Sequence, residues 1–209
     1  MRIRNLKNAS SIVSNSAYLV NNPEHNIGIW NKVFNNDNPI DLEIGMGKGN
    51  FIIDMALNNP DVNFIGIEKY TSVIARACQK LESINLPNLL IINGDALALD
   101  TYFNKEIRNI YLNFSDPWPK ERHSKRRLTS DVFLTIYDNI FKNKKTIIQK
   151  TDNISLFESS IISLSNYGYI IKDISLDLWS TDKVYSETEY EAKYRSKGTK
   201  ILYLKAEKD

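Results

Sequence analysis

The sequence contains only one cysteine, Cys78, and two histidines among its 209 residues. A single thiol excludes an internal disulfide framework and any zinc or iron–sulfur site built from several cysteines. The chain also lacks a continuous apolar run of about 18 residues, which a membrane-spanning helix would need. We therefore expect a soluble, cytoplasmic protein without a signal peptide, a membrane span or a bound metal.

The size and the balance of residue types indicate one ordinary folded domain. Hydrophobic residues make up 42% of the chain and charged residues 25%, as is usual for globular proteins. A chain of this length buries roughly 70% of its unfolded surface, so its stability requires no metal or disulfide.

From residue 39 onward, short β-rich runs alternate with stretches of helical length. The predicted strands are Ile40–Gly45, Asn63–Lys69, Leu89–Asn93, Asn109–Phe114, Thr146–Lys150, Tyr169–Leu176 and Lys200–Lys205. The predicted helices are Asn50–Asn58, Ser72–Ile84, Ser130–Phe141 and Ile154–Ser165, with Thr71 and Ser130 as expected N-caps. Several strands are continuous apolar runs, which is typical of parallel strands covered on both faces. The alternation predicts an α/β fold with a doubly wound, mostly parallel sheet.

The two ends of the chain depart from this alternation. The last two predicted strands have no helix between them, so we expect an antiparallel pair at one edge of the sheet, joined by a polar arm over residues 179–198. Residues 1–38 show no strong period. They predict an N-terminal extension, partly disordered, before a single domain of residues 39–209.

The net charge of +2 conceals an uneven distribution. Residues 101–150 carry 11 basic and 5 acidic side chains, whereas each flanking block has two more acidic than basic residues. Within this block, Lys120–Arg127 has a net charge of +4. On charge alone, such a run is either a solvated surface loop or a contact for a polyanion.

The first predicted strand leads into a glycine-rich loop with Gly45, Gly47 and Gly49. Glycine lets the backbone turn tightly and lets a ligand approach the main chain. A dinucleotide-binding loop would look similar, but its third glycine would stand at position 50, where this chain has Asn50. Glu43 precedes the first glycine by two residues, and its charge would repel a pyrophosphate but favour a cationic ligand.

Two further carboxylates, Glu68 and Asp95, follow the next two strands. In a doubly wound sheet these strand ends share one crevice with Glu43. S-Adenosylmethionine is a cation that fits such a crevice, because Glu68 could accept from its ribose hydroxyls and Asp95 from its adenine amino group. Each carboxylate alone could equally be a surface group or a helix cap. The set of three predicts this cofactor.

After the fourth strand come Ser115-Asp116-Pro117-Trp118-Pro119-Lys120 and a basic run, Arg122–Arg127. Together with Leu42–Gly49, Gly66–Glu68 and Thr188–Glu191, these motifs resemble the bacterial tRNA (guanine-N7)-methyltransferases, which modify guanosine 46 in the variable loop. The resemblance spans residues 42–191. It implies a Rossmann-like fold of the S-adenosylmethionine-dependent methyltransferases, tRNA as the partner, and methyl transfer from S-adenosylmethionine to guanine N7.

The resemblance also implies a role for each matching residue. Asp116 would be catalytic. Cofactor binding would fall to Glu43, Gly45, Gly47, Gly49, Glu68, Asp95 and Asp116. Substrate binding would fall to Lys120, Asp152, Thr188, Glu189, Tyr190 and Glu191. RNA contacts would come from Arg122, His123, Ser124, Lys125, Arg126 and Arg127.

The chemistry of guanine N7 is consistent with these roles. N7 already offers a lone pair, so methyl transfer needs alignment of the reactants and no base to remove a proton. The carboxylate of Asp116 could stabilise the positive charge that develops on the purine, or it could hold guanine by its N1–H and amino donors. Trp118 could stack on a base or fill space beneath its loop. Basic residues that contact phosphates would add salt-dependent affinity without reading sequence.

Two other functions compete with this one. An amino-methyltransferase acting on adenine N6 would carry an Asp-Pro-Pro-Tyr loop, and Trp118 in the place of its second proline counts against that function. A non-catalytic RNA-binding subunit could keep the fold, but the intact glycine loop with Glu43, Glu68 and Asp95 disfavours it. The sequence leaves the choice between a monomer and a homodimer open.

Overall fold

The computed structural model describes residues 6, 8–180, 188, 191 and 198–209. Its helices are α1 (Ala9–Ser14), α2 (Trp30–Phe34), α3 (Asn50–Asn58), α4 (Thr71–Leu81), α5 (Leu99–Tyr102), α6 (Asp131–Ile140) and α7 (Ile154–Asn166). Its strands are β1 (Ile40–Ile44), β2 (Asn63–Glu68), β3 (Leu89–Asn93), β4 (Ile107–Asn113), β5 (Phe141–Thr151), β6 (Ile170–Ser175) and β7 (Leu202–Lys208). Short 3₁₀ helices lie at Pro23–Asn26, Ala96–Ala98, Glu121–Arg126 and Leu178–Ser180.

Across the described residues the strands form one seven-stranded sheet in the order β3-β2-β1-β4-β5-β7-β6. Strands β1 to β5 are parallel, and β7 runs antiparallel to both β5 and β6. This confirms the doubly wound, mostly parallel sheet and the antiparallel pair, with β6 as the outer strand. The strand order reverses between β1 and β4, and ligands bind at the carboxyl ends of strands beside such a reversal.

Burial follows the position of each strand in the sheet. All five residues of β1 are buried, as are the first five of β2. The outer strand β6 instead alternates exposed and half-buried residues. Central strands covered by helices on both faces therefore give the continuous apolar runs seen in the sequence. No helix in the described residues is both long enough and apolar enough to cross a membrane.

Two N-cap predictions have different outcomes. The prediction for Thr71 is wrong, because Tyr70 holds the cap position of α4 and the Thr71 hydroxyl donates to Asn93 Oδ1 at 2.9 Å. Ser130 does occupy the cap position of α6. Its hydroxyl, however, donates to the Lys125 carbonyl at 3.0 Å, so it bonds outside the helix.

Strands β5 and β7 extend beyond their predicted bounds. β5 begins at Phe141, five residues before the expected start, and β7 covers Leu202–Lys208 where Lys200–Lys205 was predicted. The two extensions meet where Lys145 pairs with Lys208, and Phe141 pairs with Ile107 of β4. The first residues of β5 are largely exposed and polar. Backbone pairing beyond the core needs no apolar side chains, so the hydrophobic pattern gave no signal for this extension.

The described part of residues 1–38 packs against the rest of the domain. Trp30 is completely buried, its ring centroid lies 5.2 Å from that of Phe103, and its Nε1 donates to the Tyr102 carbonyl at 2.8 Å. Upstream, the Val20 N–H donates to the Ile91 carbonyl at 2.9 Å, beside β3. A single buried tryptophan produces no periodicity, which is why the sequence did not reveal this packing.

Replacing Trp30 with alanine should lower the free energy of unfolding by about 3–5 kcal/mol, because it removes a fully buried indole and leaves a cavity. Val33→Ala on the same helix is the matched control, since Val33 is 39% exposed and surface substitutions change stability by only about 0.5 kcal/mol. Urea denaturation of both variants measures the difference. Equal, small losses would contradict a structural role for the segment before β1.

Candidate active site

The glycine loop after β1 has the backbone geometry that its sequence requires. Gly45, Gly47 and Gly49 have φ values of 77°, 57° and 77°, in the left-handed region that disfavours a Cβ atom. Gly49 stands immediately before α3. The Gly47 N–H donates to Glu68 Oε2 at 3.2 Å, which ties the loop to the end of β2.

A cavity of about 400 Å³ lies at the carboxyl ends of β1 to β4. Its lining includes six of the residues predicted for the site or its surroundings: Gly45, Glu68, Asp95, Asp116, Trp118 and Arg126. Glu43 is not among the described residues that line it. The structure therefore brings three of the four predicted cofactor carboxylates to one cavity.

The Glu68 carboxylate organises the backbone around this cavity. Its Oε1 accepts from the N–H groups of Lys69 at 2.8 Å and Tyr70 at 3.0 Å, and its Oε2 accepts from Gly47. Glu68 thus holds the glycine loop and the entry to α4 in place. Each carboxylate oxygen has two lone pairs, so Glu68 can still accept from a ligand hydroxyl.

Asp95 is both a helix cap and part of an ion pair. Its Oδ1 accepts from the Leu97 N–H at 3.0 Å, and its Oδ2 lies 2.7 Å from Lys69 Nζ. The Leu97 N–H and Lys69 hold the pKa of Asp95 below its usual value, in that order of effect. The carboxylate is therefore ionised and can only accept. Its helix-cap role is compatible with accepting from an amino group, because its side chain is 41% exposed.

Glu43 lies behind a residue of the cavity wall. That residue is Asn113, which lines the cavity and whose Nδ2 donates to Glu43 Oε1 at 2.9 Å. Glu43 Oε2 and Asn113 Oδ1 are both buried and have no hydrogen-bond partner among the described residues. Burial raises the pKa of Glu43 to about 7, although the Asn113 hydrogen bond and the charge of Lys150 lower it. A nearby cation or N–H donor would stabilise two buried acceptors that have no hydrogen-bond partner.

The loop that follows β4 has an unusual backbone. Phe114 and Trp118 have φ values of 51° and 42°, a region in which bulky residues are strained. Arg127 holds the loop from below, since its Nε and Nη2 donate to the carbonyls of Pro117 at 3.3 Å and Trp118 at 3.2 Å. Asp116 lies between the strained residues, exposed at the edge of the cavity.

The basic run does not point uniformly outward. The Arg126 guanidinium lies 4.8 Å from the centre of the Trp118 ring, and the His123 ring meets Trp118 edge-on at 5.7 Å. Arg127 contacts the loop as described above. Arg122, Lys125 and Arg126 are exposed, whereas His123 and Arg127 are half-buried. Arg126 therefore contacts Trp118 and is also open to solvent, while Arg127 is turned toward the loop, a distinction that charge alone does not make.

The predicted substrate residues are spread more widely. Lys120 is exposed and Asp152 is partly buried, and neither lines the cavity of about 400 Å³. Thr188 and Glu191 are buried and bond to each other: the Thr188 N–H donates to Glu191 Oε2 at 2.8 Å, and the Glu191 N–H donates to Thr188 Oγ1 at 3.0 Å. This is a capping box. Glu189 and Tyr190 lie outside the described residues.

Sequence reasoning missed three residues of this site, namely Asn113, Lys150 and Arg127 as a support of the loop. The first two carry a recognisable signal, because each is a polar residue at the end of a buried strand. Polar residues in such positions require a partner. Arg127 was hidden within the basic run. In the described residues, no group of three or more His, Cys, Asp or Glu side chains is arranged to hold a metal ion.

The fold and the site together define a methyltransferase with a Rossmann-like sheet. A family described as "Putative methyltransferase" matches residues 37–204. Among solved structures, the 16S rRNA methyltransferase KamB has a TM-score of 0.65 at 14% identity, over 85% of this chain and 91% of that chain. An antibiotic-related methyltransferase has a TM-score of 0.64 at 19% identity, over 86% and 92%. These structures show the fold alone.

Curated relatives identify the family more closely. The tRNA (guanine-N(7)-)-methyltransferase of Bacillus cytotoxicus is 47% identical, covering 99% of this chain and 96% of the relative. That of Geobacillus thermodenitrificans is 48% identical, covering 99% and 97%. The chain belongs to the tRNA (guanine-N(7)-)-methyltransferase family.

Replacing Glu43 with glutamine should stabilise the ligand-free protein at neutral and alkaline pH. Because the pKa of Glu43 is raised to about 7 from an ordinary 4.5, the folded state retains a proton that the unfolded state releases between these values. Stability therefore falls as the pH rises through this window, by up to about 3 kcal/mol from this group. Glutamine does not ionise, so the Glu43→Gln variant keeps its stability as the pH rises through this window.

The measurement is urea denaturation of both proteins at pH 5 and pH 8. The difference in favour of Glu43→Gln should be small at pH 5 and largest at pH 8. Glu158→Gln, which removes an exposed carboxylate from α7, is the control. A difference for Glu43→Gln that stays constant with pH would contradict the raised pKa.

Proposed function

We propose that this protein transfers the methyl group of S-adenosylmethionine to N7 of guanine at position 46 in the variable loop of tRNA. The observation that carries the proposal is the cavity at the strand ends, where Glu68, Asp95 and Asp116 meet the glycine loop. Membership of the family supports the reaction and the substrate. A tRNA substrate also assigns the reaction to the cytoplasm.

The residues around the cavity fit the cofactor by their chemistry. Glu68 would accept from the ribose hydroxyls and Asp95 from the adenine amino group, as ionised carboxylates can. The Glu43 carboxylate, which lies behind the cavity-lining Asn113, would attract the positive charge of the cofactor through space. The left-handed glycines let the ligand approach the backbone without a Cβ in the way. When bound, S-adenosylmethionine supplies a methyl group on a positively charged sulfur.

Asp116 is the carboxylate that would face both reactants. It stands at the edge of the cavity on a loop that is shaped by two strained residues and held by Arg127. N7 of guanine gives up no proton, so the role of Asp116 is to orient the purine and to stabilise the positive charge that develops on it. The fixed loop keeps this carboxylate in position before the substrate arrives.

The exposed basic residues beside this loop form the surface for the tRNA backbone. Lys120, Arg122 and Lys125 face solvent, and their charges would contact phosphates. Trp118 lines the cavity with one face against Arg126. This contact stiffens Trp118 and leaves it next to the place where the purine would enter.

Mass spectrometry of tRNA nucleosides, after incubation with methyl-labelled cofactor, tests the function. Label should appear as N7-methylguanosine in the variable loop. Asp116→Ala should lower turnover by at least about 10²-fold, since it removes electrostatic stabilisation of the developing charge, while tRNA affinity changes little. Asp61→Ala, an exposed carboxylate near the opposite end of β2, is the control. Label on adenine N6 alone, or full activity of Asp116→Ala, would overturn these assignments.

The salt dependence of tRNA binding should separate the two kinds of basic residue. Arg122→Ala with Lys125→Ala should flatten the slope of log affinity against log salt by about 0.7–0.9 per lost phosphate contact. Arg127→Ala should change this slope less but lower kcat, because its guanidinium holds the Pro117 and Trp118 carbonyls. Lys142→Ala, an exposed lysine on β5, is the control. Binding titrations at several salt concentrations would show the opposite ranking if Arg127 contacted phosphate instead.

A further inference from the structure

A buried ion pair connects the central sheet to Glu191. Lys150 is the penultimate residue of β5, and its Nζ lies 3.2 Å from both carboxylate oxygens of Glu191. The exposed fractions of the two side chains are 3% and 0%. Lys150 Nζ also lies 5.4 Å from the ring centre of Phe51, on α3, which is within range of a cation–π contact.

We infer that Lys150 is a positioning residue for the methyl-transfer reaction, because its ion pair holds Glu191, and with it Thr188, against the sheet. The inference rests on the proposed function and on the substrate-binding role that the resemblance implies for Thr188 and Glu191. Lys150 itself does not line the cavity. It acts through Glu191.

The hydrogen bonds of Glu191 explain why Thr188 and Glu191 both depend on this lysine. Within the capping box, Glu191 Oε2 accepts from the Thr188 N–H, and the Glu191 N–H donates to Thr188 Oγ1. These bonds join Thr188 and Glu191 to each other. Lys150 connects this pair to the sheet, because its Nζ bonds to both Oε1 and Oε2 of Glu191. A buried carboxylate without this counter-charge would be strongly destabilised.

The backbone of Lys150 adds a second connection. Its carbonyl accepts from the N–H of Phe114 at 2.8 Å. Phe114 is the strained residue that opens the loop carrying Asp116. One residue therefore holds Glu191 through its side chain and the catalytic loop through its main chain. Its charge also lowers the pKa of Glu43.

Steady-state kinetics of Lys150→Met test the inference. The KM for tRNA should rise at least tenfold, because Thr188 and Glu191 lose this connection to the sheet. The dissociation constant for S-adenosylhomocysteine, measured by calorimetry, should change less than the KM for tRNA. Lys145→Met is the matched control: Lys145 lies on the same strand and pairs with Asp138 at 2.6 Å, away from the cavity. It should leave the KM for tRNA unchanged.

The double variant Lys150→Met/Glu191→Gln separates positioning from stability. Glutamine keeps the acceptor for the Thr188 N–H, and no unpaired charge remains buried, so the thermal midpoint should return toward the wild-type value. The KM for tRNA should stay as high as in Lys150→Met, because the attachment is still missing. Where the single variant does not fold, the double variant gives the same readout.

The possible results fall into two groups. A KM that returns to the wild-type value together with the thermal midpoint would overturn the inference, since Lys150 would then serve stability alone. An unchanged KM in folded Lys150→Met would overturn it as well. If the wild-type protein itself forms no N7-methylguanosine in tRNA, the proposed function fails; a wild-type protein that does form it makes every result with the variants a test of Lys150.

Discussion

The burial of a carboxylate at the end of β1 is the constraint on which this site depends. Burial removes the hydration of the Glu43 carboxylate, which raises its pKa to about 7. The Asn113 amide and the charge of Lys150 compensate for the lost hydration only in part. The second carboxylate oxygen of Glu43 and the Asn113 carbonyl oxygen have no described donor. A positive charge in the adjacent cavity would stabilise the ionised carboxylate through space, whereas a negative charge there would repel it. The preference for a cation therefore follows from burial before any contact with the ligand is considered.

Glu68 and Asp95, which are nearer to solvent, bond to the backbone and can also accept from a ligand. Glu68 and Asp95 each accept backbone N–H groups at the start of a helix, which fixes the turns that follow β2 and β3. A carboxylate that is already oriented by the backbone loses little freedom when a ligand hydroxyl or amino group binds to it. The choice between a helix cap and a ligand contact, which the sequence left open, is thus not a choice between exclusive roles.

The sequence predicted the sheet well because parallel strands buried on both faces leave continuous apolar runs, and Leu89–Asn93 agrees residue for residue. It failed where contacts between distant segments decide the outcome. The Trp30 indole and the polar start of β5 depend on partners far along the chain, and the inward turn of Arg127 depends on how the preceding loop folds back. At the site, the sequence could not predict the direction of the side chains. The motif identified Arg126 and Arg127 as basic, but only the structure shows that Arg126 contacts the Trp118 ring and that Arg127 bonds to the loop.

The need for geometry rather than proton transfer explains how charged residues are distributed in this protein. Guanine N7 requires no base, so the rate of the proposed reaction depends on how closely the donor, the purine and Asp116 are aligned. Neither histidine lines the cavity in the part of the chain that the structure describes. Instead, Arg127 holds two carbonyls of a strained loop and Lys150 holds Glu191, and both cations are turned toward protein atoms. Strained backbone at Phe114 and Trp118 persists only if neighbouring contacts overdetermine it. Supporting residues of this kind should consequently be as important for turnover as the groups that touch the substrate.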